Sequence, residues 1–91
     1  MVSDPQLQKF VDKQGRVKSW PAKPVMQRLV LDYLASKFVM GKVYNEKEVN
    51  VILGDCHTFN DPALLRRELI LKDLLERTPD GKKYWKKQEA D

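Results

Sequence analysis

Between residues 25 and 38 apolar side chains recur at three- and four-residue spacing. Met26, Leu29, Val30, Tyr33, Leu34 and Phe38 fall on one helical face, with Gln27, Arg28, Asp32, Ser36 and Lys37 largely opposite. The pattern predicts a helix over 25–38, started by Pro24 near its first turn and stopped by Gly41. In so short a chain a whole apolar helical face is needed for the core, so the stripe reads as packing rather than a ligand surface. Lys42-Val43-Tyr44 is a brief extended link, enough for one edge strand. Asn45 then caps a second helix, and Glu48 three positions on completes a capping box. Val49, Ile52, Leu53 and Cys56 line one side of that helix, and Gly54 sets its end near Asp55.

Residues 57–60 read as a loop, and Asp61-Pro62 as a helix start, an acceptor cap followed by proline at the first helical position. The third helix runs from Pro62 to about Leu71, with Leu65 and Leu69 inward and Leu64 or Ile70 partly buried. Residues 74–78 and 82–87 suit two strands joined by the turn Pro79-Asp80-Gly81. At the other end, Phe10 or Val11 and the pair Val17 and Trp20 flank turn chemistry at Asp12 to Gly15. They predict a short β-hairpin or an extended arm. Residues 1–9, polar and containing Pro5, are expected to fray, as is the tail 88–91; residues 10–87 form one domain.

The 91-residue length holds one small core, and 42% apolar with 33% charged residues is ordinary for a folded globular chain. No apolar run approaches the roughly 20 residues of a membrane span, and MVSDPQLQKF lacks the form of a secretory leader. A cytoplasmic protein is expected. Net charge is +4, and within 66–87 eight basic residues face four acidic ones, so that segment alone carries the whole excess. Such a local excess suits a polyanion, though it is modest beside strongly basic nucleic-acid binders.

Two short helices joined by a tight loop and followed at once by a hairpin are the order of a winged helix. The expected fold is therefore α+β and winged-helix-like. It has three helices, a C-terminal β-hairpin wing and a short N-terminal hairpin or extended arm. The helix from Pro62 is then the candidate recognition helix, because an α-helix fits the major groove and its N-terminal residues reach base edges. Arg66 and Arg67 sit one turn in, and with Leu65 and Leu69 inward at least one of them should be exposed for base contact. Lys72 follows the helix end and Arg77 lies in the first hairpin strand. Lys82, Lys83, Lys86 and Lys87 suit phosphate, setting register and salt dependence rather than sequence preference. Asp61 and Glu68 oppose phosphate approach. In the neighbouring pair Tyr84–Trp85, alternation sends one ring to the core and leaves the other partly exposed, able to stack on a base or to anchor a protein.

Three runs together resemble the bacterial domain-of-unknown-function family 2087. They are Lys42-Val43-Tyr44-Asn45-Glu46-Lys47-Glu48-Val49-Asn50, Asp61-Pro62-Ala63-Leu64-Leu65-Arg66-Arg67-Glu68-Leu69, and Leu74-Leu75-Glu76-Arg77 with Asp80-Gly81 and Tyr84-Trp85. The likeness extends upstream to Gly15-Arg16-Val17, Trp20-Pro21 and Leu34-Ala35-Ser36-Lys37-Phe38, covering about residues 10–87. It implies a winged-helix-like domain of small bacterial proteins and transcriptional regulators, sometimes behind a separate helix–turn–helix domain. It brings no activity, cofactor or catalytic residue. One departure is Asp73, where the family tends to have glycine. The association supports a DNA-binding protein of transcription regulation with double-stranded DNA as partner. It equally fits a protein-interaction or dimerisation module of a regulator, a homodimer or docked on another regulator, with no direct DNA contact.

Enzyme chemistry is not expected. The chain has one His and one Cys, no glycine-rich phosphate loop and no carboxylate pair with a partner base. Asp55, Cys56 and His57 are neighbours at a helix end, where side chains diverge rather than form a nucleophile–base pair. Cys56 and His57 also fall short of the four ligands of a structural zinc site, so no metal and no cofactor are expected.

Overall fold

The helix boundaries follow from local chemistry at each end. In the computed structural model, which describes residues 4–88, the elements in chain order are α1 (Pro5–Gln8), α2 (Pro24–Ala35), β1 (Val43–Tyr44), α3 (Glu46–Gly54), α4 (Pro62–Leu71), β2 (Leu75–Arg77) and β3 (Tyr84–Lys86). α3 opens on the predicted capping box: Asn45 Oδ1 accepts from the Glu48 N–H at 2.7 Å, and Glu48 Oε1 accepts from the Asn45 N–H at 2.9 Å. α4 opens on Asp61, whose Oδ1 accepts from the Leu64 N–H at 3.1 Å, with Pro62 in the first turn.

α4 ends in a Schellman motif. The Leu74 N–H donates to the Leu69 carbonyl at 2.9 Å and the Asp73 N–H to the Ile70 carbonyl at 3.1 Å. The first residue past the cap must enter the left-handed region in such a motif, and Asp73 does so at φ +61°. That is the position where glycine fits without strain, and the exposed Asp73–Lys87 ion pair at 3.9 Å offsets little of it. Asp73→Gly is therefore expected to raise the unfolding free energy by about 0.5 kcal/mol, with left-handed strain relieved and unfolded-chain entropy partly opposing. A urea melt of the two chains measures the difference.

The helices bury a different set of side chains from the one the spacing favours in one respect. On α2 the buried positions are Val30, Leu31, Leu34 and Ala35, with Phe38 just beyond, while Met26, Leu29 and Tyr33 are only half-buried. Residues 29 and 31 are both leucine, so periodicity alone cannot say which way the stripe leans. The helix also stops at Ala35 rather than 38. Lys37 and Phe38 donate to carbonyls three residues back, a tightened last turn that leads to Gly41 at φ +85°.

Among the described residues there are four helices, not three. Pro5–Gln8, expected to fray, forms one capped turn: Asp4 Oδ1 accepts from the Gln6 N–H at 2.8 Å, and Leu7 enters the core. Residues 1–3 and 89–91, within the segments expected to fray, lie outside the described residues. The arm that follows is a minimal hairpin. Val11 bridges Val17 across a turn in which Asp12 Oδ1 accepts from the Gln14 and Arg16 N–H groups, each at 2.9 Å. The bond from the Arg16 N–H above all holds the Asp12 carboxyl below its ordinary pKa; desolvation, next in weight, opposes it, and the Gln14 N–H and the Arg16 charge add to the lowering. Val17 also pairs with the α3–α4 loop, donating to the Cys56 carbonyl at 2.7 Å and accepting from the Thr58 N–H at 2.9 Å.

The sheet is antiparallel with strand order β1-β3-β2, so the short link at Val43–Tyr44 is indeed an edge strand, closing onto the second strand of the hairpin. Its rungs are Tyr44–Tyr84–Arg77 and Val43–Trp85–Glu76. Tyr44 and Tyr84 are buried, so the first rung faces the helices and the second faces away from them. A single apolar cluster runs from Leu7 to Tyr84, centred on Val17, Val30, Leu31, Leu34, Val49, Leu53, Leu65, Leu69 and Leu75.

Candidate nucleic-acid interface

α4 packs against α3, α2 and β2, with Leu65 and Leu69 completely buried beneath it. Its solvent side therefore presents Ala63, Arg67 and Leu71, spaced at four residues. The two arginines of this helix separate. Arg67 is exposed, as at least one was expected to be. Arg66 turns back on α3, where its Nη1 donates to Asn50 Oδ1 and its Nη2 stands 3.5 Å from Glu46 Oε1, leaving the side chain 21% exposed. Glu46 and Asn50 are one helical turn apart on α3, and together they hold the guanidinium as a strut between the two helices. That spacing was readable in the chain, but only the packing angle of α4 on α3 makes Arg66 its partner.

Lys72 caps the C-terminus of α4 and is exposed; its carbonyl accepts from Arg28 Nη1 at 3.4 Å. In the hairpin, Arg77 is exposed and reaches over the turn, with Nη1 3.5 Å from the Thr78 carbonyl. Lys82 and Lys83 stand exposed at the tip, and Lys86 is half-buried on the helix side of the sheet, opposite Leu75. Lys83 and Lys87, two residues either side of Trp85, fall on the outward side with it. α4 thus offers Arg67 and Lys72, the hairpin offers Arg77, Lys82 and Lys86, and Lys83 and Lys87 belong to another face.

The turn carries one anion among these cations. Asp80 Oδ1 accepts from the Thr78 hydroxyl at 2.5 Å and the Lys82 N–H at 3.0 Å, and the hydroxyl bond above all lowers the Asp80 pKa. Gly81, at φ +73°, completes the bend. Of the expected ring pair, Tyr84 is the buried one and Trp85 the partly exposed one, its Nε1 donating to Glu76 Oε1 at 3.3 Å.

Cys56 and His57 are both buried. Burial pushes the Cys56 thiol up, so the thiol and not the nucleophilic thiolate is favoured there. His57, 5% exposed, has both ring nitrogens engaged by backbone: Nδ1 lies 2.5 Å from the Leu53 carbonyl, and Nε2 accepts from the Asp61 N–H at 2.8 Å. It ties the end of α3 to the start of α4, a role its sequence position gave no sign of. Among the described residues no group of three or more His, Cys, Asp or Glu side chains is placed to hold a metal ion, and no helix is long and apolar enough to cross a membrane.

Comparison with known proteins returns one family. Its description is Uncharacterized protein conserved in bacteria (DUF2087), and it matches residues 16–86. That span takes in β1, α3, α4, the hairpin and the arm from Arg16 onward. No curated protein and no solved structure matches the chain.

Proposed function

The chain belongs to the family Uncharacterized protein conserved in bacteria (DUF2087), and for this member we propose a winged-helix-like module that binds double-stranded DNA in bacterial transcription regulation, with α4 as recognition helix and the β2–β3 hairpin as wing. The observation that carries the reading is the topology: α2–β1–α3–α4–β2–β3 with β1 paired to β3 is the element order of a winged helix. It sets the exposed side of α4 and the basic hairpin next to one another in sequence and joined through β2, which packs on α4. Arg67 is the residue for the groove, since Arg66 is held by Asn50 and Glu46. Lys72, Arg77, Lys82 and Lys86 address phosphate.

About four phosphate contacts from these side chains give a salt slope near −3.6, so affinity for duplex DNA should fall about 100-fold between 50 and 200 mM salt. Fluorescence anisotropy of a labelled 20-base-pair duplex measures it. Arg67→Ala with Lys82→Ala is expected to weaken binding at least tenfold and to flatten the slope by about one, the share of the Lys82 phosphate contact. A chain that stays folded and leaves the duplex unbound at 50 mM salt overturns the DNA reading. That outcome favours a protein-interaction module of a regulator.

A further inference from the structure

Among the described residues no helix or strand covers the outward face of the sheet. The rung Val43–Trp85–Glu76 points away from the core, and Val43 is 55% exposed. Val39 and Met40, 60% and 49% exposed, lie in the segment that leads into β1. Three of the exposed large apolar side chains of the described residues thus fall within five positions, and one of them, Val43, is paired with the partly exposed Trp85. Trp85 has its single polar group already satisfied by Glu76, at 3.3 Å, so what remains to be covered is apolar ring.

We propose that this face is the contact surface between two copies of the chain, paired about a two-fold axis with Val43 and Trp85 at the centre. The charges around it decide the occupant. Lys83 and Lys87 stand on the same side as Trp85, and Glu76 and Asp73 stand beside them, with Lys87 Nζ 3.9 Å from Asp73 Oδ2. A polyanion meets Glu76 and Asp73 here, and a cationic partner meets the two lysines. An isologous contact must be complementary to itself, and a rim holding both signs in equal number satisfies that, because the two-fold sets each chain's lysines toward its partner's carboxylates. Tryptophan is among the residues most enriched at the centre of such contacts. The face is smaller than the 20–30 residues a side of a standard stable interface, so association falls in the micromolar range. It leaves Arg67 and Lys72 on α4 uncovered and does not depend on whether the protein binds DNA.

Sedimentation equilibrium of the full chain from about 1 to 500 µM tests it. The wild type is expected to rise from the 10.6 kDa of one chain towards twice that mass. Val43→Lys and Glu76→Lys, both at exposed positions whose change spares the core, are expected to weaken the dimer at least tenfold with circular dichroism unchanged. Mixing Glu76→Lys with a Lys83→Glu, Lys87→Glu chain should restore a mixed dimer. A monomer at every concentration overturns the proposal and leaves the face for a different protein. A dimer that ignores Val43→Lys and Glu76→Lys overturns it as well.

Discussion

Leu65→Ala is expected to lower the unfolding free energy by roughly 3–4 kcal/mol, the largest effect of any substitution considered. Leu65 is completely buried under α4, where the helix meets α3, α2 and β2, and two helices and a strand around it give the surroundings little room to collapse into the vacated volume. A domain of this length holds about 5–15 kcal/mol in all, so the loss removes a large fraction of it. At about 4–8 °C per kcal/mol, the midpoint should fall by roughly 15–25 °C. Leu71, also on α4 but 64% exposed, is the control, and Leu71→Ala should stay within about 0.5 kcal/mol of the parent. Urea melts followed by circular dichroism give both numbers. A Leu65→Ala loss below about 1 kcal/mol means that α4 is not docked as described, and the display of Arg67 would go with it.

The parts of the fold that were legible in the chain are those fixed by short-range chemistry. Asn45 with Glu48, Asp61 with Pro62, and Gly81 in its turn each act over three or four residues, and each sits where its side chain predicts. Leu65 and Leu69 were equally clear, because they stand four residues apart with the charged run Arg66, Arg67 and Glu68 between them. What was not legible depends on contacts between distant segments. The α2 stripe leans toward Leu31 because the neighbouring elements, not the periodicity, choose between two leucines. Pro5–Gln8 holds its turn because Leu7 finds a place in a core assembled from later residues. That Asp73 takes a left-handed conformation in a Schellman motif was not legible either, since it follows from how α4 ends.

The same division applies to the candidate site. Charge counting found the basic segment but could not sort it. Arg66 and Arg67 are adjacent and chemically identical, yet one braces α3 and the other faces solvent, because successive helical positions lie about 100° apart. Lys83 continues the ladder by accepting from the Thr78 N–H, so the period of two sends it to the side of Trp85, while its neighbour Lys82 belongs to the turn. The eight cations therefore do not form one patch. They supply a helix side, a hairpin tip and an outward sheet face, with Asp80 kept anionic between them by Thr78 and Lys82. If the protein binds DNA as proposed, that dispersal more than the total charge predicts a modest affinity governed by salt.

His57→Phe is expected to cost about 2 kcal/mol and to loosen the start of α4 in particular. A backbone carbonyl only accepts and a backbone N–H only donates, so the two bonds fix the ring as the neutral tautomer with its hydrogen on Nδ1. Phenylalanine keeps the shape and the edge-on contact with Phe59, whose ring centre lies 4.6 Å away, but it gives the Asp61 N–H nothing to donate to. The Leu53 carbonyl still accepts from the Cys56 N–H at 3.0 Å, so the uncompensated loss falls on Asp61. Asp61 is the cap of α4, and an unanchored cap frees the Leu64 N–H it holds. Hydrogen exchange should therefore quicken at the first turn of α4 while the Schellman end at Leu74 stays protected. Equal exchange in the two chains at Asp61 and Leu64 would show that α4 is seated by Leu65 and Leu69 alone. Quickening confined to that turn, together with weaker DNA binding at unchanged net charge, would make His57 the residue that positions Arg67.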